Sequence, residues 1–148
     1  ELANKSLIPL AGGESCHSVE SAKNMIRYGK IKYIQVDAGI VGGILAGKDI
    51  AEFAEDNDVQ YVNHTFTSHL QLSASLQSYA GSINSNLAEY PMQLKSLAWD
   101  ITKNHILKDD SGCITSPLEV GHGMIINEKA LDQYKMDVEI LINSKKVF

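Results

Sequence analysis

The sequence predicts an α/β fold, a parallel sheet of about four β/α units followed by a C-terminal helical tail. Three observations carry this. The stretch Tyr33-Ile34-Gln35-Val36-Asp37-Ala38-Gly39-Ile40-Val41-Gly42-Gly43-Ile44 runs an apolar, β-branched segment into a carboxylate, then through a glycine pair into a helical pattern. That is how a buried parallel strand ends and feeds a crossover helix. Polar residues then recur at the ends of such segments, Glu14, Asp37, His64 and Glu89, about 25 residues apart, the length of a strand, a helix and two loops. The pattern breaks after Pro91.

Taken in order, Ile8 to Glu14 reads as a short strand, with Pro9 tolerated because an early strand residue need not donate to the ladder. Ser18 is a candidate N-cap for a helix with Val19, Ala22 and Ile26 on one face, and Gly29 a candidate C-cap. The second unit is the stretch quoted above, with a helix carrying Ile50, Phe53 and Ala54 to a stop near Asn57-Asp58. Gln60 to His64 is a third strand, followed by a helix through Leu72, Leu76 and Tyr79. Asn86 to Glu89 is a weaker fourth strand. Consecutive units of this kind wind right-handed, so all four strand-end side chains point out of one rim.

Beyond Pro91 the spacing of Leu94, Leu97, Ala98 and Ile101 predicts a helix within 94–105. Lys108 to Gly112 is turn chemistry, Pro117 to Gly123 a glycine-punctuated loop. Asn127 is a candidate cap for a last helix carrying Leu131, Tyr134, Val138 and Leu141, with a frayed tail after Asn143.

Composition narrows the class. A chain of 148 residues, 44% apolar, can bury one ordinary core. A net charge of −5 argues against a nucleic-acid or anionic-membrane surface. No apolar run approaches the roughly 20 residues that span a bilayer. Cys16 and Cys113 form no disulfide framework, which favours a reducing, cytoplasmic setting. The first residue is Glu1, with no signal-peptide pattern after it; this reads as a processed chain or as a piece of a longer one.

The rim residues suggest chemistry as a set. A carboxylate at Asp37 bonded to one nitrogen of His64 fixes the tautomer and leaves the other nitrogen to take or give a proton. Glu14 can serve as an acceptor-only ligand for a hard cation such as Mg2+. Glu89, if desolvated and protonated, can donate to a developing oxyanion. Together these suit abstraction of a proton next to a carboxylate. Each alone has a plainer reading: a strand-end acid is commonly a helix N-cap or solvated, a lone histidine commonly structural. The regular spacing favours the functional reading. Gly42-Gly43 reads as a tight turn, because no full Gly-x-Gly-x-x-Gly follows. Cys16-His17 is a poor nucleophile pair, since neighbouring side chains diverge. His69, His105 and His122 are expected at the surface or in caps, and Met92, Met124 and Met136 as gap fillers.

The segments IPLAGGES, IQVDAGIVGGI, VNHTFTSHL and LAEYP, in this order and spacing, resemble the second half of the barrel in the enolase superfamily. Within it they resemble the mandelate racemase-like subgroup of the mandelate racemase/muconate lactonizing enzymes. The closing PLEVGHGMIINEKALDQY is similar to that family's C-terminal stretch. The resemblance implies the C-terminal half of a (β/α)-barrel in residues 1–91, with residues 92–148 as C-terminal helices and a closing loop packed on it. It implies Glu14 as the third carboxylate ligand of Mg2+, Asp37 and His64 as the His-Asp dyad, with His64 the general acid/base, and Glu89 as donor to the substrate carboxylate. The superfamily's His or Lys base with Mg2+ is established chemistry. Asp37 separates this subgroup from the muconate lactonizing and dipeptide epimerase branch, which carries a lysine there.

Many relatives with this dyad dehydrate acid sugars, so a dehydratase is the first expectation and a 2-hydroxy-acid racemase or epimerase the second. The family's first two metal ligands, the opposite-face base, the first half-barrel and the N-terminal capping domain have no counterpart in this sequence. The isolated chain is therefore expected to be inert, its first and last strands open edges and its barrel-facing side uncovered, so that it forms a homo-oligomer. Two other readings remain: a non-catalytic, self-associating half-barrel, and a small flavodoxin-like binding module with its ligand at a strand-order switch point.

Overall fold

The structure, a computed structural model, describes residues 2–83 and 86–147. Its centre is a three-stranded parallel sheet in the order β1-β2-β3, formed by Ala11–Gly12, Tyr33–Val36 and Gln60–Asn63. Tyr33 to Val36 pair with Gln60 to Asn63 residue by residue, and Ala11 and Gly12 pair with Tyr33 and Ile34. Ile34 and Val36 are fully buried, alternating with half-buried Tyr33 and Gln35, the period-two signature of a strand.

Helices α1 (Val19–Gly29), α3 (Ile44–Glu55) and α4 (His69–Gln77) close over Ile34 and Val36 with Ala22, Ile26, Ile50, Ala54, Leu72 and Leu76 in one core. Burying each of the larger of these side chains is worth about 1.5–3 kcal/mol. Ser18 caps α1 as expected, in a reciprocal pair: its Oγ accepts the Ser21 N–H and its own N–H is taken by Ser21 Oγ, both at 3.2 Å. The left-handed residue ending α1 is Lys30 rather than Gly29, which stays helical.

The glycine pair does what a tight turn does. Instead of one helix after Asp37 there are two, a single turn α2 (Ala38–Val41) and α3, separated by Gly42 and Gly43 at φ 118° and 100°. Side chains rarely adopt that region, so the pair breaks the helix and redirects the chain.

Several expectations are corrected. The first strand is two residues long, not seven; Leu7 and Ile8 are exposed and Pro9 has no N–H for the edge ladder. Asn86 to Glu89 forms no ladder strand among the described residues. It is held to β3 by side chains: Asn63 Nδ2 donates to Glu89 O at 2.9 Å, Asn63 Oδ1 accepts the Glu89 N–H at 3.1 Å, and Gln60 Nε2 donates to Asn86 Oδ1 at 2.6 Å. The helix after Pro91 is only α5, Ser96–Asp100. The last helix, α6 (Glu128–Tyr134), stops before Val138 and Leu141. From Met136 apolar residues recur at every second position, a strand period, and Leu141–Ile142 (β4) pairs antiparallel with Lys145–Lys146 (β5). Asn143 and Ser144 turn the hairpin at φ 50° and 62°, the sign a type I′ turn requires. The tail is a hairpin rather than frayed; Phe148 lies outside the described residues.

The C-terminal segments lean on α4. Ile106 donates its N–H to His69 Nδ1 at 3.2 Å, Gln77 Nε2 to Pro117 O at 3.1 Å, and Ser73 Oγ to His122 O. His69 is therefore not at the surface: it is fully buried, edge-on to Trp99, Tyr90 and His105. His105 is half-buried and stacked on Trp99, and His122 is half-buried with an unpartnered Nδ1. Met124 packs against the core, whereas Met92 and Met136 are exposed and fill no gap. No helix among the described residues is long and apolar enough to cross a membrane.

Candidate active site

Three of the four rim residues meet. His64 follows β3 directly and prolongs the ladder, its N–H bonded to Val36 O at 3.0 Å. Its half-buried ring lies between two carboxylates: Nε2 is 3.3 Å from Glu14 Oε2, and Nδ1 is 3.7 Å from Asp37 Oδ2. Phe66 stands edge-on to the ring, centroids 5.0 Å apart. An imidazole between two acids can take or release a proton at either nitrogen while its charge is balanced.

The two acids are held differently. Asp37 is buried and caps α2, its Oδ1 accepting the Gly39 N–H at 2.7 Å. The plain reading of a strand-end acid, a helix N-cap, holds for this residue, and its second oxygen faces His64. Glu14 is largely exposed and follows Gly13, whose φ is 130° and where a Cβ would lie 2.7 Å from Gln35 O. Only glycine lets the chain leave β1 that close to β2 and deliver Glu14 to His64.

Glu89 stands apart from this trio. Its backbone is clasped by Asn63, and its side-chain Oε2 is buried without a hydrogen-bond partner. The clasp is complete. Asn63 also donates to Thr65 Oγ1 at 2.9 Å and accepts from the Tyr79 hydroxyl at 2.9 Å, so all four of its hydrogen-bonding positions are used. Burial pushes the Tyr79 phenol up to about 12, which keeps it a donor. Gln71 Nε2 donates to Asp37 Oδ1 and the Thr67 hydroxyl to Gln71 Oε1; neither these two residues nor Asn63 and Tyr79 are marked by strand-end spacing.

As for a metal, no cluster of three or more acidic, histidine or cysteine side chains stands ready to hold one among the described residues. Glu14 is an exposed, acceptor-only carboxylate and fits one place in the oxygen shell of a hard cation. Asp37 is committed to its cap, so among the described residues the rim offers one such carboxylate and not a complete site.

The chain as a whole has counterparts among known proteins. A family described as enolase C-terminal domain-like matches residues 1–130. The chain belongs to the enolase C-terminal domain-like family. A crystal structure of a predicted mandelate racemase from Rhodobacter sphaeroides superposes with a TM-score of 0.91 at 40% identity, covering 99% of this chain and 38% of that one. The α/β architecture is thus that of the C-terminal half of the family's barrel. D-galactonate dehydratase of Xanthomonas campestris pv. campestris is 32% identical over 135 residues, 88% of this chain and 35% of that protein. D-galactarolactone cycloisomerase of Agrobacterium fabrum is 28% identical over 137 residues, 87% of this chain and 36% of that protein. The chain therefore spans little more than a third of the length of these relatives.

Proposed function

We propose that this chain is the C-terminal barrel half of an enolase-superfamily enzyme that removes the proton next to a substrate carboxylate, and that the enzyme is an acid-sugar dehydratase. The observation that carries this is the seating of His64 between Asp37 and Glu14 on three successive strand ends. The relative named as a galactonate dehydratase supports an acid-sugar substrate.

In this reading Asp37 holds His64 by Nδ1, and His64 takes or returns a proton at Nε2. In a dehydration the same ring protonates the departing hydroxyl, so that water and not hydroxide leaves. Glu89 in its protonated form donates from the buried side of the rim to the substrate carboxylate, using the oxygen that has no partner. Glu14 is one ligand of Mg2+, the others coming from the part of the barrel outside this chain. A bound Mg2+ would withdraw charge from the substrate carboxylate and make the neighbouring C–H more acidic. Residues 1–91 form the barrel half and 92–148 the closing segments. A racemase or epimerase reading gives the residues of this chain the same roles and differs in returning a proton to the opposite face of the carbon, from a group outside this chain; the relatives named as racemase and cycloisomerase favour it.

The test is α-proton exchange of six-carbon acid sugars in deuterated water, with Mg2+, by the complete barrel that contains this chain. His64→Asn is expected to lose roughly 10²–10⁴-fold, the range for a general acid/base, and Glu14→Gln to raise the Mg2+ concentration the exchange needs. The 148-residue chain alone is expected to exchange nothing. Exchange unaffected by His64→Asn would overturn the proposal, as would exchange by the isolated chain.

A further inference from the structure

The residue that places Glu89 is the residue that precedes His64. Asn63 Nδ2 donates to Glu89 O at 2.9 Å, and Asn63 Oδ1 accepts the Glu89 N–H at 3.1 Å. One side-chain amide thus does for Glu89 what a rung of a ladder does for a strand residue. The anchor is well held. Asn63 is fully buried and pairs with Val36 at the end of β3, and His64 gives its own N–H to Val36 O at 3.0 Å. Glu89 and His64 are therefore referred to the same point of the sheet.

A clasp of this kind works in one sense only. Turned over, the amide would set its NH2 against the Glu89 N–H and its oxygen against the Glu89 oxygen, and both ties would be lost. Two buried neighbours meet the amide: the Tyr79 hydroxyl donates to Oδ1 at 2.9 Å, and Thr65 Oγ1 accepts from Nδ2 at 2.9 Å. Thr65 can donate as readily as accept, so it does not choose the sense. Tyr79 does, because burial keeps its phenol protonated and so a donor. Its hydroxyl also reaches Leu87 O, at 3.3 Å, in the segment that carries Glu89.

The Glu89 carboxyl depends on this chain of bonds. Its buried Oε2 has no hydrogen-bond partner, so at that oxygen no protein contact corrects an error in where the backbone stands. We propose that Asn63 and Tyr79 are positioning residues: the Tyr79 hydroxyl fixes the sense of the Asn63 amide, and the amide sets where Glu89 stands relative to His64. This rests on the proposed function, in which His64 moves the proton and Glu89 donates to the substrate carboxylate.

The experiment is α-proton exchange of six-carbon acid sugars by the complete barrel that contains this chain, with Mg2+ in deuterated water. It is run at a temperature where circular dichroism shows each variant folded. Asn63→Ala is expected to lower kcat roughly 10–10²-fold, the scale of a misplaced group, with KM within about twofold of wild type. Tyr79→Phe, which keeps the ring and the Asn63 side chain, should lower kcat in the same way but by less. A double-mutant cycle with Glu89→Ala, which removes the carboxyl and keeps both backbone groups, separates the roles. In that background Asn63→Ala should cost less than about twofold, because the group it places is gone. A merely structural role lowers the melting temperature and adds its full loss in both backgrounds.

An additive cycle, or an unchanged kcat in both Asn63→Ala and Tyr79→Phe, overturns the proposal. If Asn63→Ala fails to fold, the cycle is run with Tyr79→Phe. If Glu89→Ala leaves too little exchange to measure, the split decides, and a raised KM with kcat intact overturns the proposal. The two readings fail separately. Exchange lost in His64→Asn with an additive cycle retires the positioning alone; no exchange by the wild-type barrel, or exchange that survives His64→Asn, retires the proposed function and the positioning with it.

Discussion

His69 shows how much a single side chain can hold. It opens α4, is fully buried, and accepts the Ile106 N–H through Nδ1. Burial, and then the neighbouring His105, lower its pKa. The folded chain thus keeps it neutral, while the unfolded chain binds a proton below about pH 6.5. Stability from this group is complete above that value and is lost as pH falls from it toward the lowered pKa. Chemical denaturation between about pH 7 and pH 5 should show this loss, and His69→Asn should flatten that part of the profile. Asn63 is the other such residue. Replacing it with Leu takes the partner from Thr65 and from both backbone groups of Glu89, and leaves the Tyr79 hydroxyl with Leu87 O alone. A cost of about 2–4 kcal/mol is expected from denaturant midpoints; a loss under about 0.5 kcal/mol, that of an ordinary surface change, would contradict the clasp.

At the scale of elements, what was legible was what local chemistry dictates. Ser18 announced a helix start, Gly42-Gly43 a break, and the β-branched run before Asp37 a buried strand, because caps, left-handed turns and alternating burial depend on neighbours in sequence. The trio Glu14, Asp37 and His64 was legible for the same reason: parallel strands of equal register bring their ends to one rim. The fourth strand was not, since whether Asn86 to Glu89 forms a ladder depends on a neighbour across the edge, and the edge here is filled by the Asn63 amide. Nor was Gln71, which reaches Asp37 only because α4 lies against α2. The tail was misread by period: Tyr134 and Leu141 share a helical face on paper, but the alternation Met136, Val138, Ile140, Ile142 follows and wins.

The whole molecule has an unsealed outline. β1 is a two-residue edge, and Leu7, Ile8, Leu118, Val120, Leu141 and Ile142 are all exposed. The sheet positions that alternate with the core are Tyr33, Gln35, Gln60 and Val62; the first three are polar or amphipathic and Val62 is buried, so the drive to associate lies in loops and tail more than on the sheet face. Sedimentation should show a mean mass that rises with concentration; a stable monomer at high concentration would contradict self-association.

The clasp at Asn63 has a mechanical meaning at this scale. A ladder resists as a row, and moving one residue of it strains its neighbours. The segment that carries Glu89 is instead tied at separate points, by the Asn63 and Gln60 amides and by the Tyr79 hydroxyl on Leu87 O. Each tie is a side chain, so a single substitution can remove one and leave the sheet's ladder whole.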